Sequence, residues 1–206
     1  MAYKVINLKD IYNSLGEKKT KEILEDYKCE LNLDVEYFLK NKAIEFSKQD
    51  ISRTYIVMSE YKEQDVIVGY FAIANKYTII KKFILSNTKK KSILKYSKYD
   101  DTIKGYNVVL PLIGQIGKNF NNGYNNLISG DILLQLACKK IKEIQDLIGG
   151  RYVFLECEDN EKLKNFYESN GFEYFGKRNL EKDERDKNNG DYLLQMLRDL
   201  SNFHTM

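Results

Sequence analysis

The stretch LECEDNEKLKNFYESNGF at 155–172 decides how this chain is read. It has the marks of a buried strand end, a polar turn, one short helix and a glycine stop. Asp159 and Asn160 signal the helix start, and Asn170-Gly171 its end. Leu163, Phe166 and Tyr167 stand at i, i+3 and i+4, so they share one helical face. An aromatic stripe of this kind docks a helix on a sheet. From the segment alone, a core role and a chemical role for Tyr167 stand open together.

The elements around this stretch follow from their periodicity. The run at 151–157 is nearly all apolar, as a central strand covered on both faces requires. A helix is predicted over 129–147, with Leu133, Leu136, Ala137, Ile141, Ile144 and Ile148 on its apolar face and Gly149-Gly150 ending it. Before it, VVLPLIGQIGK at 108–118 reads as a strand. Pro111, Gly114 and Gly117 within it call for an edge, a bulge or a close backbone approach. The β-branched and aromatic runs at 54–58 and 66–74, separated by SEYKEQD, form a hairpin in which Gly69 marks a bulge or close contact. Residues 77–85 suggest one more strand. The first third is helical, with one helix ending at 24–29 and a second over 35–46 striped by Phe38, Leu39, Ala43 and Phe46. The polar stretch 179–191 leads into a last strand at 192–197. A lysine- and tyrosine-rich insertion at about 87–106 reads first as a solvated loop. Basic residues interleaved with aromatics (Lys89, Lys90, Lys91, Lys95, Tyr96, Lys98, Tyr99) make nucleic-acid binding the alternative.

Composition removes whole classes of chemistry. A hydrophobic fraction of 43% over 206 residues is enough for a packed core, and one domain over 1–206 is expected. The 33 basic and 30 acidic residues nearly balance, so no polyanionic partner is demanded. No apolar run is long enough to span a bilayer. Cys29, Cys138 and Cys157 are odd in number and widely spaced, and with no signal peptide to read they point to a reducing cytoplasm. The only histidine is His204, two residues before Met206. Nucleophile–histidine systems therefore drop out, and with no C-x-x-C pair so does a zinc site. What remains is chemistry done by positioning and by the backbone.

One place in the chain is built for an anion. Strand 108–118, then NFNNGYNNLISG at 119–130, then a helix is an arrangement that turns unpaired amides and a positive helix end toward one point. Read blandly, it is a polar loop capped by Ser129.

The pattern N-x-x-x-x-x-F-Y-x-x-x-G-F after an acid-rich strand end resembles the last motif block of the GNAT N-acetyltransferase superfamily. The order helix, antiparallel strands, then strand–loop–helix–strand–helix–strand is similar to that family's. The resemblance implies an α/β (α+β) fold with a mixed, mostly antiparallel sheet and a splayed pair of central strands, around Gly114 and Leu155. It implies acetyl-CoA as acyl donor, a primary amine of a small molecule or protein as acceptor, no metal, and a monomer or homodimer. Tyr167 would give its proton to the departing thiolate, and Glu156 or Glu158 would serve as general base. The amide near Ile116 or Gly117 would polarise the thioester carbonyl. Asn160 would reach the pantetheine arm, with Phe166 beside it. The family's Q/R-x-x-G-x-G/A loop falls on Asn125, Asn126, Ile128, Ser129 and Gly130. Only Gly130 keeps the family residue. Ile128 puts a stiff side chain, and Asp131 a negative charge, where pyrophosphate would lie, with Lys118 and the helix amides to compensate. A catalytically degenerate GNAT-like module that binds a protein partner is the competing implication.

Further landmarks, Cys29 with 35–43, Arg53-Thr54-Tyr55 and Gly69-Tyr70-Phe71-Ala72, resemble the subgroup containing acetyltransferase toxins of toxin–antitoxin modules. Glu30 and Val35 depart from its pattern. That resemblance implies aminoacyl-tRNA as a further candidate acceptor, placed behind small-molecule and protein amines. The lysine-rich insertion lies outside it.

Overall fold

The computed structural model describes residues 2–181 and 190–203. His204 and most of the polar 179–191 stretch lie outside the described residues. The strands form an eight-stranded sheet in the order β1-β2-β3-β5-β6-β8-β7, with β4 paired to β5. Here β1 is Lys4–Asn7, β2 Arg53–Tyr61, β3 Gln64–Lys81, β4 Tyr99–Asp100, β5 Gly105–Lys118, β6 Tyr152–Glu158, β7 Glu173–Asn179 and β8 Tyr192–Asp199. The pairs β1–β2, β2–β3, β4–β5, β6–β8 and β7–β8 are antiparallel. The strands that hold Gly114 and Leu155, β5 and β6, are neighbours as expected. By its contacts the chain divides into two compact units, Met1–Ala74 with Ile113–Ile141 and Asn75–Leu112 with Lys142–Met206.

In the first unit, Asn7 caps helix α1 (Leu8–Glu25) by accepting from the Lys9 amide at 2.9 Å. Asn32 caps α2 (Leu33–Tyr37), which passes through a π-helical turn at Phe38–Lys42 into α3 (Ala43–Lys48). The helix expected over 35–46 is therefore two α-helical stretches joined through a π-helical turn. Its apolar stripe joins Leu8, Leu24, Tyr27, Ile56 and Tyr70 in the core. The β2–β3 hairpin turns on Lys62 and Glu63 alone, both with positive φ (50° and 65°). Val57 pairs with Gly69 and Met58 with Ile67, so Val68 is the extra residue of a bulge. Gly69 is required there, because a Cβ would stand 2.9 Å from the Gly117 carbonyl oxygen and 3.1 Å from a Leu133 methyl.

In the second unit, the continuation of β3 to Lys81 takes up most of the expected 77–85 strand, and a 3-10 turn at Lys82–Ile84 ends it. The insertion is not a solvated loop. It holds helix α4 (Asn87–Ile93), capped by Ser86, and the short β4. It folds because Leu85, Ile93 and Tyr106 bury against Tyr152, Phe154, Phe175 and Leu197. The long helix α5 runs Gly130–Ile148, one residue later at each end than expected. Leu133, Leu134, Ala137, Cys138 and Ile141 are buried along it, while Ile148 is 75% exposed and leaves the expected face. Helix α6 is Glu161–Ser169. Strands β1 and β7, at the two ends of the sheet, were not legible in the sequence. Among the described residues no helix is long and apolar enough to cross a membrane.

Candidate active site

The residues expected to form the anion cradle, 116–131, lie in the first unit as one continuous segment. Its entry is fixed by Asn119, which is fully buried just past the end of β5. The Asn119 Oδ1 accepts from the amides of Lys28 and Asn121, both at 3.0 Å. Its Nδ2 donates to the carbonyl of Ile67 at 2.8 Å and toward that of Asp26 at 3.4 Å. Both capacities of the carboxamide are filled, which is what allows so polar a group to be buried. Lys118 donates to the Asn125 carbonyl at 3.1 Å, and the Tyr3 hydroxyl donates to that of Leu127 at 2.8 Å. Asn122 and Gly123 take the left-handed backbone that folds the loop back.

Ile128 is extended (φ −143°, ψ 138°) and buried, 3% exposed. Its stiff side chain lies in the core, so the crowding expected of it does not arise. Ser129 is exposed and caps α5, its hydroxyl accepting from the Ile132 amide at 3.2 Å. Gly130 opens the helix, with Asp131 exposed in its first turn and Asn126 exposed on the loop. The helix has 19 residues, so its first amides carry a full helix-end dipole. Gly117 leaves room for the Tyr27 hydroxyl and a Val35 methyl, which would stand 2.7 and 2.6 Å from a Cβ there.

The second unit carries the other candidates. Asn160, not Asp159, caps α6, its Oδ1 accepting from the Lys162 amide at 2.9 Å. The oxygen half of its carboxamide is thus engaged at the helix end. Tyr167 is buried, with the Phe166 and Phe172 rings edge-on at 5.1 and 6.0 Å. Burial, and then the nearby Cys157, push the phenol well above its ordinary range, so it stays protonated. Burial likewise lifts the Cys157 thiol to about 12, with help from Asp159 and Glu158.

The alternation of β6 separates these groups. Cys157, the residue that reaches Tyr167, points to one face, and Glu156 and Glu158 point to the other. Glu156 is held there in a polar network. Its Oε2 accepts from Arg178 Nε at 2.8 Å and its Oε1 from Gln195 Nε2 at 2.9 Å, with Lys76 Nζ 4.0 Å away. Gln195 is also 3.4 Å from the Thr78 hydroxyl. Sequence reasoning missed Asn119, Arg178 and Gln195. Only Gln195 gave a sign, as a lone polar residue inside the apolar strand YLLQMLRD. Among the described residues, no cluster of three or more His, Cys, Asp or Glu could hold a metal ion.

No protein-family model matches this sequence, and no curated protein does. Solved structures match in fold. A tyrosine-to-phenylalanine variant of KacT matches with TM-score 0.61 at 16% identity, over 95% of both chains. AtaT complexed with acetyl-methionyl-tRNAfMet matches with TM-score 0.59 at 17% identity, over 94% of both. A variant of the toxin AtaT bound to acetyl-CoA and the C-terminus of the antitoxin AtaR matches with TM-score 0.56 at 15% identity, over 97% of this chain and 94% of that one. What these likenesses establish is the fold: this chain carries the GNAT-type fold of those neighbours.

Proposed function

We propose that this chain is a single acetyltransferase domain that transfers acetyl from acetyl-CoA to a primary amine, in the cytoplasm. The observation that carries this reading is the cradle at 116–131. It is a loop fixed at both ends that leads into the N-terminus of a 19-residue helix, with the Ile128 side chain buried in the core. A neighbour of the same fold was solved with acetyl-CoA. The amides of Gly130 and Asp131, with Lys118, would hold pyrophosphate, and Ser129, Asn125 and Asn126 would line the loop. The amide of Ile116 or Gly117 would polarise the thioester carbonyl. Asn160 would meet the pantetheine arm through the NH2 of its carboxamide, beside Phe166.

In the reaction the amine nitrogen bonds to the acetyl carbon, the C–S bond breaks, and the sulfur takes up a proton. Tyr167, kept neutral by burial, suits the role of hydrogen-bond donor to that sulfur. Glu156 or Glu158 would take the ammonium proton, and Glu156 would first have to be released by Arg178 and Gln195, which its two oxygens accept from. An unperturbed ammonium has a pKa of about 10.4, so some base or desolvation must act.

A second reading concerns the acceptor. AtaT, of the same fold, was solved with acetyl-methionyl-tRNAfMet, which supports the amino group of a charged tRNA as the acceptor. Calorimetry with acetyl-CoA tests the main reading, and absence of binding at millimolar concentration would leave only the non-catalytic module. With binding established, Tyr167→Phe is expected to lower the maximal rate and leave acetyl-CoA affinity nearly unchanged. Label from acetyl-CoA appearing on charged tRNA, but not on free amines, would select the second acceptor.

A further inference from the structure

The near balance of charge along this chain averages two unlike parts. Residues 76–98 carry eight lysines and no aspartate or glutamate, so 25 of the 33 basic residues face all 30 acidic ones elsewhere. The net charge of +3 is thus a segment of +8 on a remainder of −5. The segment comprises the end of β3, the 3-10 turn at Lys82–Ile84 and helix α4, all within the second unit. Like charges this dense repel one another, and the fold supplies few counter-charges. Lys89 pairs with Glu173, and Lys76 lies 4.0 Å from Glu156. Among the described residues, Lys90, Lys91, Lys95 and Lys98 have no ion pair.

Two further observations bear on the polyanion that fits. The first is position. Leu85 and Ile93 anchor the insertion in the apolar cluster that holds Tyr152 and Phe154. In β6 these two alternate onto the same face as Glu156, so the insertion covers that face and not the Cys157 face. The second is aromatic exposure on either side of α4. Phe83 is 81% exposed and Tyr96 49%, with the Tyr96 ring held edge-on to Tyr152 at 6.3 Å. Neither ring is needed in water by the fold, but an unpaired base stacks on such a ring whatever its identity. A duplex keeps its base faces inside, whereas RNA loops and ends leave theirs open. We propose that residues 82–98 form a docking surface for single-stranded RNA. Lys90, Lys91, Lys95 and Lys98 hold phosphates, and Phe83 and Tyr96 stack bases. The surface shares no residue with the acetyl-CoA cradle, and the proposal does not depend on acetyl transfer.

The test is fluorescence anisotropy of a labelled single-stranded RNA of mixed sequence with the full chain. No acetyl-CoA is present, so the outcome is independent of any catalytic activity. Four phosphate contacts predict a slope of about −2.8 in log K against log salt, or about a 50-fold loss of affinity between 50 and 200 mM salt. Lys90→Gln, Lys91→Gln and Lys95→Gln together should flatten that slope by about 2. Phe83→Ala should weaken binding about tenfold and leave the slope unchanged. These side chains lie at the surface, so both variants should melt like the wild type. Duplex DNA of matching length offers phosphates without base faces and should bind about tenfold more weakly. No binding at about 100 μM protein in 50 mM salt would overturn the proposal. So would an unchanged slope in the triple lysine variant, unchanged affinity in Phe83→Ala, or duplex DNA that binds as tightly as the RNA.

Discussion

Asn119 donates to the carbonyl of Ile67 at 2.8 Å, beside the bulge that Val68 makes in β3. One buried carboxamide thus joins the distorted strand, the chain at Asp26–Lys28 and the start of the anion cradle. A bulge leaves ladder groups unpaired, and Asn119 supplies the missing partner. Asn119→Ala would strand the Lys28 and Asn121 amides and the Ile67 carbonyl, at about 1–3 kcal/mol for each buried group left unsatisfied. A loss of about 3 kcal/mol in urea unfolding is expected, with weaker acetyl-CoA binding in the protein that remains folded. Unchanged stability would mean that water replaces the side chain.

The Tyr27 hydroxyl sits in the same unit with the opposite problem. The residue is fully buried, its hydroxyl has no hydrogen-bond partner among the described residues, and its near neighbour is the Cys29 thiol, a weak acceptor. Removing an unsatisfied buried hydroxyl removes a desolvation cost, so Tyr27→Phe should be neutral or stabilising by up to about 1 kcal/mol. Gly117→Ala should cost about 1–3 kcal/mol by overpacking against Tyr27 and Val35. The two changes together should cost less than Gly117→Ala alone, because the phenylalanine withdraws one of the two clashing atoms. Additive thermal shifts would show that Val35 is the only obstacle.

These two sites show what the sequence could and could not reveal. Periodicity exposed α5, α6, β5, β6 and the hairpin, because each buries a face whose spacing is local. The strand pair at Val57–Gly69 was readable from a glycine in a β-branched run. The hairpin turn was not, since Lys62 and Glu63 adopt positive φ without the Asn-Gly that normally announces it. β7, EYFGKRN, has too few apolar residues to read as a strand, and it forms because β8 supplies the pairing. The insertion misled because its lysines outnumber Leu85, Ile93 and Tyr106, the few residues that anchor it. At the site, Ile128 was legible as a departure from the family. The direction of its side chain depends on φ and ψ, which no spacing rule provides. The division of β6 into a Cys157 face and a Glu156 face was in principle available from alternation alone.

The segment beside the cradle should respond to acid through Glu36. Burial alone would raise this carboxyl, but the amide of Cys29 and the ammonium of Lys40 outweigh it and hold it below its ordinary value. The Cys29 amide donates to Glu36 Oε2 at 2.8 Å and Lys40 donates to Oε1 at 3.0 Å. A carboxyl depressed in the folded state adds stability above its unfolded pKa, about 4.3, and loses it as pH falls through the folded value. Stability should therefore drop as the solution is acidified below about pH 4.3. Glu36→Gln should be less stable at neutral pH and show a shallower acid slope. Parallel curves for the two proteins, from urea titrations at stepped pH, would remove Glu36 from the acid response.

Glu156 and Arg178 provide the sharpest separation between structure and catalysis. The Glu156 side chain is 8% exposed and that of Arg178 20%, so neither charge is well solvated without the other. Arg178→Met leaves the carboxylate with Gln195 and the more distant Lys76, and should cost about 3 kcal/mol. Glu156→Gln removes the carboxylate from the more exposed guanidinium and should cost less. The double variant should be more stable than the sum of the two losses implies, because neither charge is then left alone. If Glu156 is purely structural, Glu156→Gln will keep the wild-type pH–rate profile for acetyl transfer, and Glu158→Gln will lose the acidic limb. A lost acidic limb in Glu156→Gln, with normal folding, would return Glu156 to the role of base and require Arg178 and Gln195 to release it during turnover.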